Sequence, residues 1–327
     1  MTETSRTPEP SAGRTSRTGR REEGAPAPRS SQWARAPFPR QSFSTLKDRS
    51  VRIDAHHHLW DLSVRDQPWT SDVPALRRTF TAAELRPALE RNAIDATVVV
   101  QTIAVPQETP ELLALTCTDP QVRAVVGWTD LTEPGIADRL AELREQPGGS
   151  ALVGIRHGIQ DETDPQWPAR PEVRRGITSV AAAGLVYDLL VRPDQLPSAV
   201  RAVRELPDVR FVLDHAGNPV VSPDGLVSWT ALLTDLAECP NVTVKLSGLV
   251  TRTGGDPAAA LRPYADVLFE TMGPDRLMYG SDWPVCLLAA EYDEVVAVAE
   301  SLTEELSADE REAVFGTTAA RWYGIPS

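Results

Sequence analysis

Three of the five histidines in this 327-residue chain stand together, in Asp54-Ala55-His56-His57-His58. The other two follow charged residues, in Arg156-His157 and Asp214-His215, and one more carboxylate of interest, Asp282, follows Ser281. In an extended segment side chains alternate, so His56 and His58 project to one side and His57 to the other. An imidazole pair at that spacing can grip one ion. Neutral imidazoles suit zinc, and three protein ligands with an open water position is the usual arrangement of a catalytic zinc. His56, His58 and His215 can supply the three. Asp282 is then the fourth group, touching the metal or holding its water as general base. Hydrolysis is the natural outcome of such a set.

Residues so far apart meet only if regular elements carry them to one place. From residue 50 onward, short β-branched runs alternate with apolar residues at helical spacing. The expected strands are Val51 to His56, Thr97 to Gln101, Val122 to Trp128, Leu152 to His157, Leu185 to Val191, Arg210 to His215, Val242 to Ser247 and Leu277 to Ser281. Helical patterns lie between them, among them Ala82 to Asn92, Pro171 to Ala183, Leu196 to Glu205 and Trp229 to Glu238. Near-continuous apolar runs such as Val98-Val99-Val100 imply burial on both faces, as parallel strands under helices require. Eight such units predict a (β/α)8 TIM barrel, whose strand ends converge on one mouth. All five histidines fall at such ends. A doubly wound sheet would announce a Gly-rich turn after its first strand, where this chain has histidines.

Lys and Arg number 33 against 46 Asp and Glu, a net charge of −13 that argues against general nucleic-acid binding. Residues 1–49 run the other way, with ten basic and five acidic side chains and no Val, Ile or Leu before Leu46. That stretch is expected to be a disordered basic extension, leaving residues 50–327 as the catalytic barrel. Arg20-Arg21 is followed by Glu22-Glu23-Gly24 rather than an apolar segment, so an export signal is not expected. No apolar run approaches the ~20 residues that span a bilayer, and the expectation is a cytoplasmic protein without membrane partners. Cys117, Cys239 and Cys286 are too scattered for a disulfide framework or a thiolate zinc site.

Five ordered motifs now carry a resemblance: Ile53-Asp54-Ala55-His56-His57-His58-Leu59-Trp60-Asp61, Gly154-Ile155-Arg156-His157, Val212-Leu213-Asp214-His215, Val244-Lys245-Leu246-Ser247-Gly248 and Gly280-Ser281-Asp282-Trp283-Pro284. Over residues 51–325 the chain resembles the amidohydrolase superfamily, and most its amidohydrolase-2 lactonase branch. That branch contains L-fuconolactonases, L-rhamnonolactonases and 2-pyrone-4,6-dicarboxylate lactonases. The resemblance implies a lactone-opening barrel, acting on a sugar-derived aldonolactone in carbohydrate catabolism, with His56, His58, His215 and Asp282 at its centre. It implies His215 and Asp282 as catalytic residues. Binuclear members carry a bridging lysine at the end of strand 4, where this chain has Arg156-His157, so one divalent metal, zinc, is expected rather than two. Some members of the branch work without metal, their histidines polarising the carbonyl directly.

Substrate contact is expected of Arg156, His157, Lys245, Asp188, Gln101 and Trp283. Lys245 and Ser247 share one parity on strand 7, and Asp188 is a carboxylate in an apolar strand, where burial without a partner is costly. The alternatives for these charges are an internal salt bridge or a histidine anchor. Gln101 and Glu108 bracket the loop after strand 2, while Trp60, Trp69, Trp167 and Trp283 lie near the mouth. His57, pointing away from the pair, is expected to be a hydrogen-bonding core residue. Two other readings keep the barrel: a metal-dependent decarboxylase of the same superfamily, and a non-catalytic binding barrel. A homo-oligomer is left open.

Overall fold

All eight expected strands form in the computed structural model, which describes residues 50–326; the expectations for residues 1–49 lie outside the described residues. They are β1 (Ile53–His57), β2 (Ala96–Val100), β3 (Val122–Gly127), β4 (Leu152–Gly158), β5 (Val186–Leu190), β6 (Phe211–Leu213), β7 (Val242–Leu246) and β8 (Leu277–Tyr279). Each pairs in parallel with the next, in the order β1 to β8. The ring closes where β8 returns to β1. There Asp282 N donates to His56 O at 2.8 Å and His58 N to Trp283 O at 2.6 Å. The buried Asp54 carboxylate ties the same seam, accepting from Ser281 N at 2.9 Å and from the Tyr292 hydroxyl at 3.0 Å.

Every residue of β2, β5 and β7 is buried, because helices cover the outside and packed side chains fill the inside. Eight main helices supply the cover: α1 (Ala82–Arg91), α2 (Glu108–Leu115), α3 (Ile136–Glu145), α4 (Pro171–Ala182), α5 (Leu196–Glu205), α6 (Pro223–Ala237), α7 (Pro257–Thr271) and α8 (Tyr292–Leu302). Helix α6 starts six residues before the expected Trp229. Ser222 caps it, accepting from Gly225 N, and Pro223 occupies its first turn.

Inside the ring, Val98, Val186, Val212 and Met278 make an apolar floor into which Tyr323 packs. Above that floor lies a charged layer: Lys245 Nζ is 2.6 Å from Asp188 Oδ2 and 2.9 Å from Asp214 Oδ1, and Arg156 Nη1 is 3.0 Å from Asp214 Oδ2. Two cations and two carboxylates balance, the condition under which buried charge is tolerated. The Tyr323 hydroxyl donates to Asp188 from below, at 2.7 Å.

β6 and β8 are only three residues long, shorter than expected, and both end beside site residues. β6 stops at Leu213, after which His215 (φ 53°, ψ 35°) and Ala216 (φ 50°, ψ 29°) are left-handed. β8 stops at Tyr279, and Asp282 has φ 59°. Non-glycine residues in that region cost on the order of 1–3 kcal/mol each and persist only where surrounding structure imposes them. His215 and Asp282 therefore sit on tight turns just beyond the strands. On β1 the pairing with β2 shifts register between Asp54 and His57, a bulge of the kind that re-aims side chains.

Candidate active site

The β1 bulge and the two left-handed turns bring four donors together. His56 Nε2 and His58 Nε2 are 3.2 Å apart, and Asp282 Oδ1 lies 3.4 Å from His58 Nε2, 3.7 Å from His56 Nε2 and 4.0 Å from His215 Nε2. Ligands bound at zinc distances in a tetrahedron stand about 3.4 Å from one another. His56, His58 and Asp282 therefore fit a single ion, with His215 slightly farther out. A second grouping, His56, Asp214 and His215, meets the same spacing. Its carboxylate is already held by Lys245 and Arg156, whose charges oppose a second cation.

The outer nitrogens of the imidazoles are held in place. His58 Nδ1 donates to Val100 O at 2.8 Å, which turns its Nε2 lone pair into the site. His215 Nδ1 is 2.9 Å from Ser247 Oγ. His56 Nδ1 faces Lys245 Nζ at 3.1 Å and Asp214 Oδ1 at 3.3 Å. Of these two neighbours only Asp214 can accept from Nδ1, and a ring donating to it would present its Nε2 lone pair to a metal.

Burial holds His56 well below the usual imidazole value, with Lys245 adding to the effect and Asp214 opposing it. His215 is lowered as well, by burial against the pull of Asp282 and Asp214. Both rings are thus neutral, the ligating form. Burial alone would raise Asp282, but His215 and His58, with Arg156, hold it below the ordinary carboxylate value. It stands as an anion beside the neutral rings of His56 and His215.

His58, His215 and Asp282 line a cavity of about 510 Å³, large enough for a sugar-sized ligand. Arg156, His157 and Gln101 all line it, as expected. Arg156 Nη2 donates to the Gln101 backbone oxygen and, at 3.2 Å, to its Oε1; its Nη1 lies 3.4 Å from His56 Nε2. His157 stacks on Trp167, ring centroids 4.2 Å apart and 9° from parallel. Trp69 edges the cavity, with its indole nitrogen bonded to Gln67.

The expectations for Lys245, Asp188 and Trp283 need correction. Lys245 and Asp188 are wholly buried and ion-paired below the histidines, so they brace the site instead of touching substrate. Trp283 is buried edge-on against Phe80, 5.4 Å between centroids, off the cavity wall. Glu108, open between substrate contact and a loop-fixing role, takes the second, its carboxylate accepting from Thr102 N and Ile103 N at 3.0–3.1 Å. His57 is the expected core residue, its Nε2 2.9 Å from Thr97 Oγ1.

Other residues of the site were missed in the sequence. Asp214, the hub joining Lys245, Arg156 and His56, stood in a quoted motif beside His215 and was signalled only by that adjacency. Glu162, Asn218 and Arg252 also line the cavity, from loops whose sequence carries no periodic signal.

Comparison with known proteins agrees with this geometry. A curated L-fucono-1,5-lactonase of Burkholderia multivorans is 42% identical over 292 residues, covering 85% of this chain and 97% of the relative. A second, from Burkholderia ambifaria, is 36% identical over 282 residues, covering 84% and 96%. A crystal structure of a zinc-bound amidohydrolase from Burkholderia multivorans superposes with a TM-score of 0.80 at 40% identity, covering 85% of this chain and all of that one. The amidohydrolase family model matches residues 53–325, and the chain belongs to that family.

Proposed function

We propose that the protein is a hydrolase that opens a six-membered sugar lactone of the L-fucono-1,5-lactone class. The observation that carries this reading is the Asp282 carboxylate lying 3.4–4.0 Å from three imidazole nitrogens at a cavity wall. The substrate class comes from the two lactonase relatives.

The lactone carbonyl is placed against the histidines and Arg156, whose guanidinium charge lies beside His56 and favours the negative charge that develops on the carbonyl oxygen. Asp282 takes a proton from the attacking water. As the bond from the acyl carbon to the ring oxygen breaks, Asp282 returns that proton to the departing oxygen. The product is a hydroxy acid, which ionises and releases one proton to solvent. A zinc ion held by His56, His58 and Asp282, with His215 alongside, would polarise the carbonyl and acidify water. Neutral His56 and His215 keep their lone pairs for that task.

The test is a panel of aldonolactones in weakly buffered pH indicator, with wild-type protein and Asp282→Asn. Acid release above the spontaneous rate by the wild type, and its loss by about 10²- to 10⁴-fold in the variant, is expected. Proton uptake with carbon dioxide release from aromatic or unsaturated acids would instead identify a decarboxylase. Near-normal turnover by Asp282→Asn would remove that residue as the base.

A further inference from the structure

Besides Asp282, the cavity lining holds the carboxylates of Asp161 and Glu162, in the segment that follows β4, and Glu162 is the one paired with a lining histidine. Its Oε1 lies 2.9 Å from His157 Nε2. The orientation of that pair is set from behind. Trp128 Nε1 stands 3.1 Å from His157 Nδ1. An indole N–H only donates, so Nδ1 accepts and the ring proton sits on Nε2, where it is donated to Glu162. Trp167, stacked on the imidazole face, prevents the ring from turning.

The backbone is held equally firmly. The buried Gln195 amide donates to Ile159 O at 2.8 Å and to Glu162 O at 3.2 Å, and Arg192 Nη1 reaches Glu162 O at 3.3 Å. Among the described residues no Lys or Arg side chain forms an ion pair with the Glu162 carboxylate. The carboxylate of this lining residue is thus held by a single neutral donor, His157, and retains acceptor capacity that no other described side chain uses. Its natural complement is a hydroxyl group, since a carboxylate accepts a hydrogen bond from a neutral donor strongly and directionally.

We infer that Glu162 is a specificity-determining residue that accepts hydrogen bonds from ring hydroxyls of the substrate, selecting polyhydroxylated lactones over unsubstituted ones. This inference rests on the lactonase reading. A site built to bond a hydroxyl discriminates strongly against an analogue lacking it, because its own polar group is left unpaired. His157 aims the carboxylate and takes no part in the chemistry.

The experiment compares wild-type, Glu162→Ala and Glu162→Gln proteins on L-fucono-1,5-lactone and on δ-valerolactone, the same ring without hydroxyls. Binding of 1,5-anhydro-L-fucitol, which keeps the ring hydroxyls but has no carbonyl, is measured alongside by calorimetry. Glu162→Ala is expected to lower kcat/KM for the sugar lactone on the order of 10- to 100-fold and to weaken the anhydroalditol similarly. Turnover of δ-valerolactone should stay within about threefold. Glu162→Gln, which can still accept from His157, should show the same selectivity change to a smaller degree and keeps the test open if the alanine variant misfolds. Parallel losses on both lactones, or unchanged anhydroalditol binding, overturns the inference while leaving the lactonase reading intact. Wild-type protein inert towards both lactones overturns the reading and the inference with it.

Discussion

Lys245 Nζ lies 3.1 Å from His56 Nδ1, and its two other close contacts are the carboxylates of Asp188 and Asp214, at 2.6 and 2.9 Å. A single ammonium thus links the charged layer inside the barrel to the metal-binding face of the site. Lys245→Met would leave both carboxylates buried without their main counter-ion. Breaking a buried pair in this way costs on the order of 3–5 kcal/mol. Urea unfolding should show that loss, and turnover should fall with it because His56 loses a neighbour. The double variant Lys245→Met/Asp188→Asn should recover part of the stability.

Gly248 has φ +64°, and a Cβ added there would lie 2.4 Å from His215 Nδ1 and 3.0 Å from Asp282 Oδ2. Gly248→Ala is expected to destabilise by about 1–3 kcal/mol from backbone strain and to displace His215. Activity should fall far more than the melting temperature accounts for. Gly255, φ +72° with nothing near its missing Cβ, is the control. Gly255→Ala should show the backbone cost with turnover per folded molecule unchanged.

His57 is pulled down to about 3 by burial, with His58 adding to the effect. In the unfolded chain it titrates near 6.5. Below that pH the unfolded state binds a proton that the folded state refuses. Its contribution to stability is therefore complete above about 6.5 and is lost as pH falls towards about 3, by up to ~1.4 kcal/mol per pH unit. Urea unfolding at pH 7.5 and 4.5 should give a lower stability at the acid value, and the His57→Gln protein a shallower decline. An NMR titration showing the His57 ring protonating near pH 6.5 in native protein would contradict this.

Protein purified without chelator should carry close to one equivalent of zinc and lose turnover when chelated. His58→Ala should weaken zinc binding by more than about 100-fold in competition with a chromophoric chelator, independently of any assay of turnover. Full activity in metal-free protein would transfer the electrophilic role to the imidazoles and Arg156.

The barrel was legible because its strands are β-branched runs and its helices amphipathic, both local properties. The His56/His58 pair was legible for the same reason, as alternation along one strand. Depth was not. Lys245 points inward as its parity says, but parity cannot tell a residue at the mouth from one a layer lower, about 7 Å down a strand. In sequence, Lys245 and Asp188 fit substrate contact or an internal salt bridge alike, and the structure gives them to the salt bridge. The ends of β6 and β8 were overextended because no propensity marks His215 or Asp282 as left-handed. Glu162 and Arg252 come from loops, where neither period nor composition singles out one polar residue among many.

The seam that closes the ring runs through the reacting residues themselves: Asp282 and His58 each give a backbone N–H to it. Unzipping the cylinder at this edge and dismantling the reaction centre are consequently one event. A molecule opened at this edge should not turn over substrate, so heat inactivation should follow the cooperative melting curve.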